Sequence, residues 1–247
     1  MKRRLDLPTQ SEKLAAVVAR VREIGAGRAP LVVFDLDGTL MDNRPRTCAI
    51  MADLAEKWRV SHPREAALLK TMVPERLDYL LDENLRAIGI EDEALLAEGF
   101  EHWKAHFFFD SWIHHDTPLP GAVEFAHACR DAGAIIVYFT GRDLPNMALG
   151  TFASLRDAGF PIGVPGTELV LKPSPEMDDT EFKRAFTPLV AQRGVVTAVF
   201  DNEPGNCNVF KELFPDTDVF LLDTQFHPDA PPLLDSVMVI GDFSTQS

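Results

Sequence analysis

Six short runs of mostly apolar residues punctuate the chain, at 31–34, 134–139, 168–171, 195–200, 218–222 and 236–240. They lack the apolar–polar alternation of a half-solvated strand and suit strands buried on both faces of a parallel sheet. Helical spacing fills the intervals. Leu14, Val17, Val18, Val21 and Ile24 form one stripe, with a capping box at Thr9-Gln10-Ser11-Glu12 ahead of it and Gly25 and Gly27 behind. Residues 44–115 contain no strand-like run. Cys48, Met51, Ala52, Leu54, Ala55 and Trp58 share a helix face there. Leu68, Leu69 and Met72 form another, Leu77, Leu80 and Leu81 a third, and a further helix is predicted over 94–109. Its aromatic end, Phe107-Phe108-Phe109, is expected to be buried. The pattern predicts an α/β fold with a doubly wound parallel sheet, Rossmann-like, and a small α-helical insert.

Chemistry concentrates where these runs end, the usual ligand side of an open α/β sheet. The first run empties into Asp35-Leu36-Asp37-Gly38-Thr39-Leu40. Two carboxylates so close repel unless a cation lies between them, an arrangement that suits one as nucleophile and the other as general acid/base. The second run is followed by Thr140-Gly141-Arg142, which offers a hydroxyl, free backbone N–H groups and a planar guanidinium to an anion. After the fourth run come Asp201-Asn202-Glu203-Pro204-Gly205-Asn206, oxygen donors suited to a hard cation.

The DxDGTL string resembles the first motif of the haloacid dehalogenase superfamily, and the later strand ends resemble its second and fourth motifs in order. The insert between the first and second motifs resembles the cap of the C1-capped, phosphatase-like branch, which implies a cap over 44–115 and a core of 1–43 and 116–247. The resemblance implies a Mg2+-dependent phosphomonoesterase acting on a small phosphorylated metabolite through an aspartyl-phosphate. Asp35 would be the nucleophile and Asp37 the acid/base. Thr140, with Gly141, Arg142 and Asn206, would hold the phosphoryl group, and Asp35, Asp37 and Asp201 the metal. Asn202 and Asn206 stand where many relatives carry acids, so Asn206 and Glu203 both remain open as a further ligand. The motif lysine has two candidates. Lys172, in Leu171-Lys172-Pro173-Ser174-Pro175, resembles the third motif of one large branch; Lys183, early in a predicted helix, stands where other branches place it.

The chain is 247 residues long, with 46% hydrophobic and 25% charged residues, an ordinary globular balance. The net charge is −14, and residues 201–247 hold nine acids against one lysine. Such a surface steers polyanions away, so nucleic acid is not expected as a bulk ligand and a small-molecule phosphate ester is. No apolar run reaches the roughly 20 residues of a membrane helix, and the basic N-terminus Met1-Lys2-Arg3-Arg4 has no apolar stretch behind it. Three scattered cysteines, Cys48, Cys129 and Cys207, read as reduced thiols, and the expected location is cytoplasmic.

In the insert, Arg44, Arg46, Trp103, His106, His114 and His115 are candidates for substrate contact. The superfamily resemblance leaves phosphotransferase or phosphonatase chemistry open, the latter needing a cap lysine such as Lys57, Lys70 or Lys104. Asp37 argues against C–halogen cleavage, because true dehalogenases of the superfamily lack that residue. A non-catalytic phosphate-binding module is the alternative from another class, motivated by the acid-poor Asp201 loop.

Overall fold

The computed structural model describes residues 3–25 and 27–246; Met1 and Lys2, part of the basic N-terminus, lie outside them. All six predicted strands form, as β1 (Pro30–Phe34), β4 (Ile135–Asp143), β5 (Thr167–Lys172), β6 (Val195–Asp201), β7 (Asp218–Leu222) and β8 (Met238–Ile240). They make one parallel sheet in the order β5-β4-β1-β6-β7-β8. The chain moves outward from β1 through β4 to β5, then crosses back to β6 on the other side. The carboxyl end of β1 is therefore the topological switch point, where a ligand crevice opens.

Pleating divides the strand residues between two cores. Val32 and Phe34 face α1 (Leu7–Gly25) and α6 (Ala122–Asp131), while Leu31 and Val33 face α8 (Asp179–Ala191) and α9 (Pro204–Leu213). Phe34, Phe200 and Phe220 are paired positions on β1, β6 and β7, and their rings stack with centroids 5.1 and 4.7 Å apart. Each of the first two immediately precedes an aspartate of the site, so an aromatic floor fixes where those carboxylates emerge.

Between β1 and β4 lies a helical insert with its own apolar cluster, built from α2 (Arg44–Trp58), α3 (Pro63–Leu69), α4 (Leu81–Ala87) and α5 (Glu93–Phe107). The two chain crossings pair as a short antiparallel ladder, β2 (Met41–Asp42) with β3 (Thr117–Pro118). Two-residue strands are too short to leave a periodic trace in the sequence. A last helix, α7 (Leu144–Asp157), follows β4.

Three expectations need correction. α1 starts at Leu7, because the Asp6 carboxylate accepts from Thr9 N at 3.0 Å; Thr9 therefore lies inside the helix and does not cap it. α5 stops at Phe107, and Phe108 and Phe109 are 41% and 43% exposed instead of buried, since a 3-10 turn over Asp110–His115 redirects the chain. Ala52 is exposed, although Met51, Leu54, Ala55 and Trp58 of the same stripe are buried.

Candidate active site

The sheet's switch point opens under the insert as a cavity of about 300 Å³. Asp35 enters it directly from β1, its backbone N–H bonded to the Phe200 carbonyl at 2.9 Å. The turn behind it needs Gly38, which has φ +73°, and a Cβ there would stand 2.5 Å from Asn202 Nδ2. Thr140, Gly141 and Arg142 lie within the irregular end of β4, where pairing with β5 shifts register. Asp143 then caps α7 by accepting from Asn146 N at 2.9 Å.

Lys183 closes the centre. From the buried face of α8 its ammonium donates to Asp35 Oδ1 at 2.8 Å, to Asp201 Oδ2 at 3.0 Å and to the Phe139 carbonyl at 2.5 Å. Burial lowers the proton affinity of this lysine, but Asp201 and Asp35 more than offset it, and the net shift is upward. Burial raises the Asp35 carboxyl, Lys183 opposes the rise, and Asp201 adds to it. Asp201 Oδ1 accepts from Glu203 N at 2.9 Å and from Asn206 Nδ2 at 3.2 Å. Glu203 is pushed up to about 7, by burial and then by Asp201. Lys172 does not reach Asp35; it pairs with Asp179 at 2.6 Å on the cavity wall.

Asp37, also on the cavity wall, belongs to a group of two acids and two arginines. Arg142 donates to it from Nε at 2.7 Å and from a terminal nitrogen at 2.9 Å, and Arg46 donates at 2.7 Å. Both arginines also bind the buried Asp116, Arg46 at 2.8 and 2.6 Å and Arg142 at 2.6 Å. Burial works against charge on Asp37, but Arg142 and then Arg46 hold its carboxyl well below the ordinary carboxylate range. The group joins the first two motif strands to both crossings of the insert. Asp116 carried no signal in the sequence beyond being an acid before the return into the core.

Of the insert residues expected near a ligand, Arg44 and Trp103 line the cavity, joined by Thr47, Tyr79, Phe107 and Phe108. His106, His114 and His115 do not, and Arg46 is fully buried in the ionic group. Asn43 and Gln225, which carry no motif signal in the sequence, also stand on the cavity wall; Gln225 Nε2 donates to the Leu77 carbonyl of the insert at 2.6 Å.

Two buried carboxylates, Asp35 and Asp201, converge beside the amide and carboxyl groups of Asn206 and Glu203, all oxygen donors. That donor set fits a small hard divalent cation. Among the described residues, no helix is long and apolar enough to cross a membrane.

The solved structures that resemble this one share its fold. A candidate phosphatase from Clostridium difficile aligns over 82% of this chain and 89% of its own, at TM-score 0.53 and 14% identity. Mycobacterium tuberculosis Protein Tyrosine Kinase A (PtkA) aligns over 87% and 94%, at TM-score 0.53 and 16% identity. A HAD hydrolase of family IA, variant 3, from Entamoeba histolytica HM-1:IMSS aligns over 87% and 93%, at TM-score 0.50 and 15% identity. No curated protein matches the chain. The sequence itself matches the haloacid dehalogenase-like hydrolases over residues 29–177, a span running from the strand before Asp35 to the loop before α8. With that match, and a six-stranded parallel sheet bearing a helical insert, the chain belongs to the haloacid dehalogenase-like hydrolases.

Proposed function

We propose that this protein is a Mg2+-dependent phosphomonoesterase acting on a small phosphate ester, with residues 44–115 as a cap over the site. The observation that carries the proposal is the Asp35–Lys183–Asp201 arrangement, in which Asp35 and Lys183 line the cavity and the fully buried Asp201 is bound to Lys183. Asp35, Asp201 and the backbone carbonyl of Asp37 would hold the ion, with Asn206 or Glu203 alongside. Bound there, Mg2+ supplies positive charge that offsets the phosphoryl oxygens and the nucleophile.

Asp35 attacks phosphorus, and the bond from phosphorus to the ester oxygen breaks as the aspartyl-phosphate forms. The leaving oxygen takes a proton from Asp37. Asp37 then removes a proton from water, which attacks the aspartyl-phosphate phosphorus, releases inorganic phosphate and restores Asp35. Thr140 and Lys183 steady the transferring oxygens. The arginine clasp keeps Asp37 ionised, the state from which the second half starts, and makes it a weak base. Both proton transfers require the clasp to loosen; movement of the insert withdraws Arg46, and Arg142, which belongs to β4 and weighs more on Asp37, must shift as well. Arg142 serves Asp37 in this scheme, and Trp103, Phe107 and Phe108 give the ester's organic group an apolar wall.

The test is phosphate release from p-nitrophenyl phosphate and a panel of phosphomonoesters, with and without Mg2+, beside Asp35→Asn. Mg2+-dependent release that disappears in the variant is the expected result. Undiminished turnover of Asp35→Asn would remove Asp35 as nucleophile.

A further inference from the structure

A second cluster of ligating side chains lies in the insert, outside the cavity lining. His102 and His106 are one helical turn apart on α5, and Asp53 faces them from α2; one ligand atom from each lies within 4.8 Å of the others. The imidazole centroids are 4.3 Å apart. We propose that Asp53, His102 and His106 form a separate binding site for one zinc-class divalent transition-metal ion, which clamps α2 to α5.

Two details set the cluster apart from an ordinary ion pair. His102 Nε2 is buried and, although 3.1 Å from Asp53 Oδ2, makes no hydrogen bond with it or with any other group among the described residues. A buried ring nitrogen without a partner is costly, and coordination resolves it. Two ligands on a tetrahedral zinc, each about 2.0–2.1 Å from the ion, sit at comparable separation without needing donor–acceptor geometry. The second detail is at His106, whose Nδ1 lies 2.6 Å from the His102 carbonyl oxygen. A carbonyl only accepts, so Nδ1 carries the proton and Nε2 keeps its lone pair. Metal-binding imidazoles are oriented by this same kind of bond.

Two imidazoles and one carboxylate select zinc, cobalt or nickel over magnesium, unlike the all-oxygen set at Asp35. Asp53 is 40% exposed, so the fourth position opens to water. One group opposes the ion. The Lys57 ammonium lies 3.1 Å from Asp53 Oδ2 and 3.4 Å from His102 Nδ1, and being 54% exposed it can swing out. Trp103 and Phe107, neighbours of the two histidines on α5, line the cavity, so the ion would stiffen a helix that forms part of its wall.

The experiment is calorimetric titration of the chelator-stripped full chain with Zn2+ in excess Mg2+, paired with the visible spectrum of the Co2+ form. One Zn2+ per chain and a tetrahedral cobalt spectrum are expected. His102→Gln and His106→Gln should each weaken binding roughly tenfold or more. Circular dichroism of the metal-free variants checks that they are folded. Lys57→Met keeps all three ligands, removes the competing charge and should tighten binding. Absence of Zn2+ binding overturns the site, as does binding that survives both histidine substitutions together. Binding lost in Asp35→Asn, or no tighter in Lys57→Met, overturns it as well.

Discussion

Replacing Arg46 with methionine tests whether the ionic group around Asp37 is a single unit. Arg46 is fully buried; it donates to Asp116 twice, to Asp37 once and to the Phe107 carbonyl at 2.9 Å, and it lies 4.2 Å over the Phe107 ring. Two acids and two arginines are formally neutral together. Removing one arginine leaves a buried net negative charge, a change that costs about 3–5 kcal/mol. For a chain of this size that corresponds to a fall of roughly 6–20 °C in melting temperature. Asp116→Asn in the same chain restores neutrality, so the double variant should recover about 1–3 kcal/mol relative to the sum of the single changes. Urea melts of the four proteins measure this. Trp58, Trp103 and Trp112 all lie in the insert, so fluorescence reports on that region and circular dichroism on the whole chain. Coincidence of the two probes checks that one transition is being measured. Additive effects, or an Arg46→Met cost below about 0.5 kcal/mol, would refute the idea of a coupled buried group.

Lys183→Met should lower phosphate release by roughly 10²–10³-fold, and an equal loss in Lys172→Met with Lys183→Met near normal would reverse the choice between the two lysines. Mg2+ at about 100 times its dissociation constant should add about 2.7 kcal/mol of stability, read as a rise in melting temperature that Asp35→Asn abolishes; no rise in the parent chain would count against the donor set. Gly150→Ala should destabilise the fold by about 1–3 kcal/mol in urea melts, because the added Cβ would stand 2.6 Å from the Asp110 backbone carbonyl, where no rotamer change gives relief. His102 and His115 have proton affinities lowered below the ordinary 6.5, in each case first by burial. Their folded values lie below the unfolded ones, so their stabilising contribution is full above the unfolded value and is lost as pH falls through the two values. Melts at about pH 8 and about pH 5.5 should show this loss, reduced in His102→Gln; a slope unchanged by that substitution would remove His102 as a contributor.

The strands were readable one by one because burial on both faces leaves a local trace, an apolar run such as 31–34 or 195–200, that needs no knowledge of the neighbours. Asp35, Asp37, Thr140 and Asp201 were readable for a related reason: each sits directly at or just past the end of such a run, and parallel strands bring those ends to one edge. Which lysine meets Asp35 was not readable. Lys183 lies 148 positions further along the chain, and its aim depends on how α8 packs against the sheet. The same holds for Asp116, 70 positions from Arg46 and 26 from Arg142, where three separate segments converge. Phe108 and Phe109 look like core residues in one dimension; in three, Phe108 lines the cavity and Phe109 is exposed, because the turn after α5 decides their direction. Periodicity and strand-end chemistry are local properties, and the sequence determined them. Charge pairing across the insert and the choice of cation are contacts between distant segments, and only packing of the completed sheet and helices decided those.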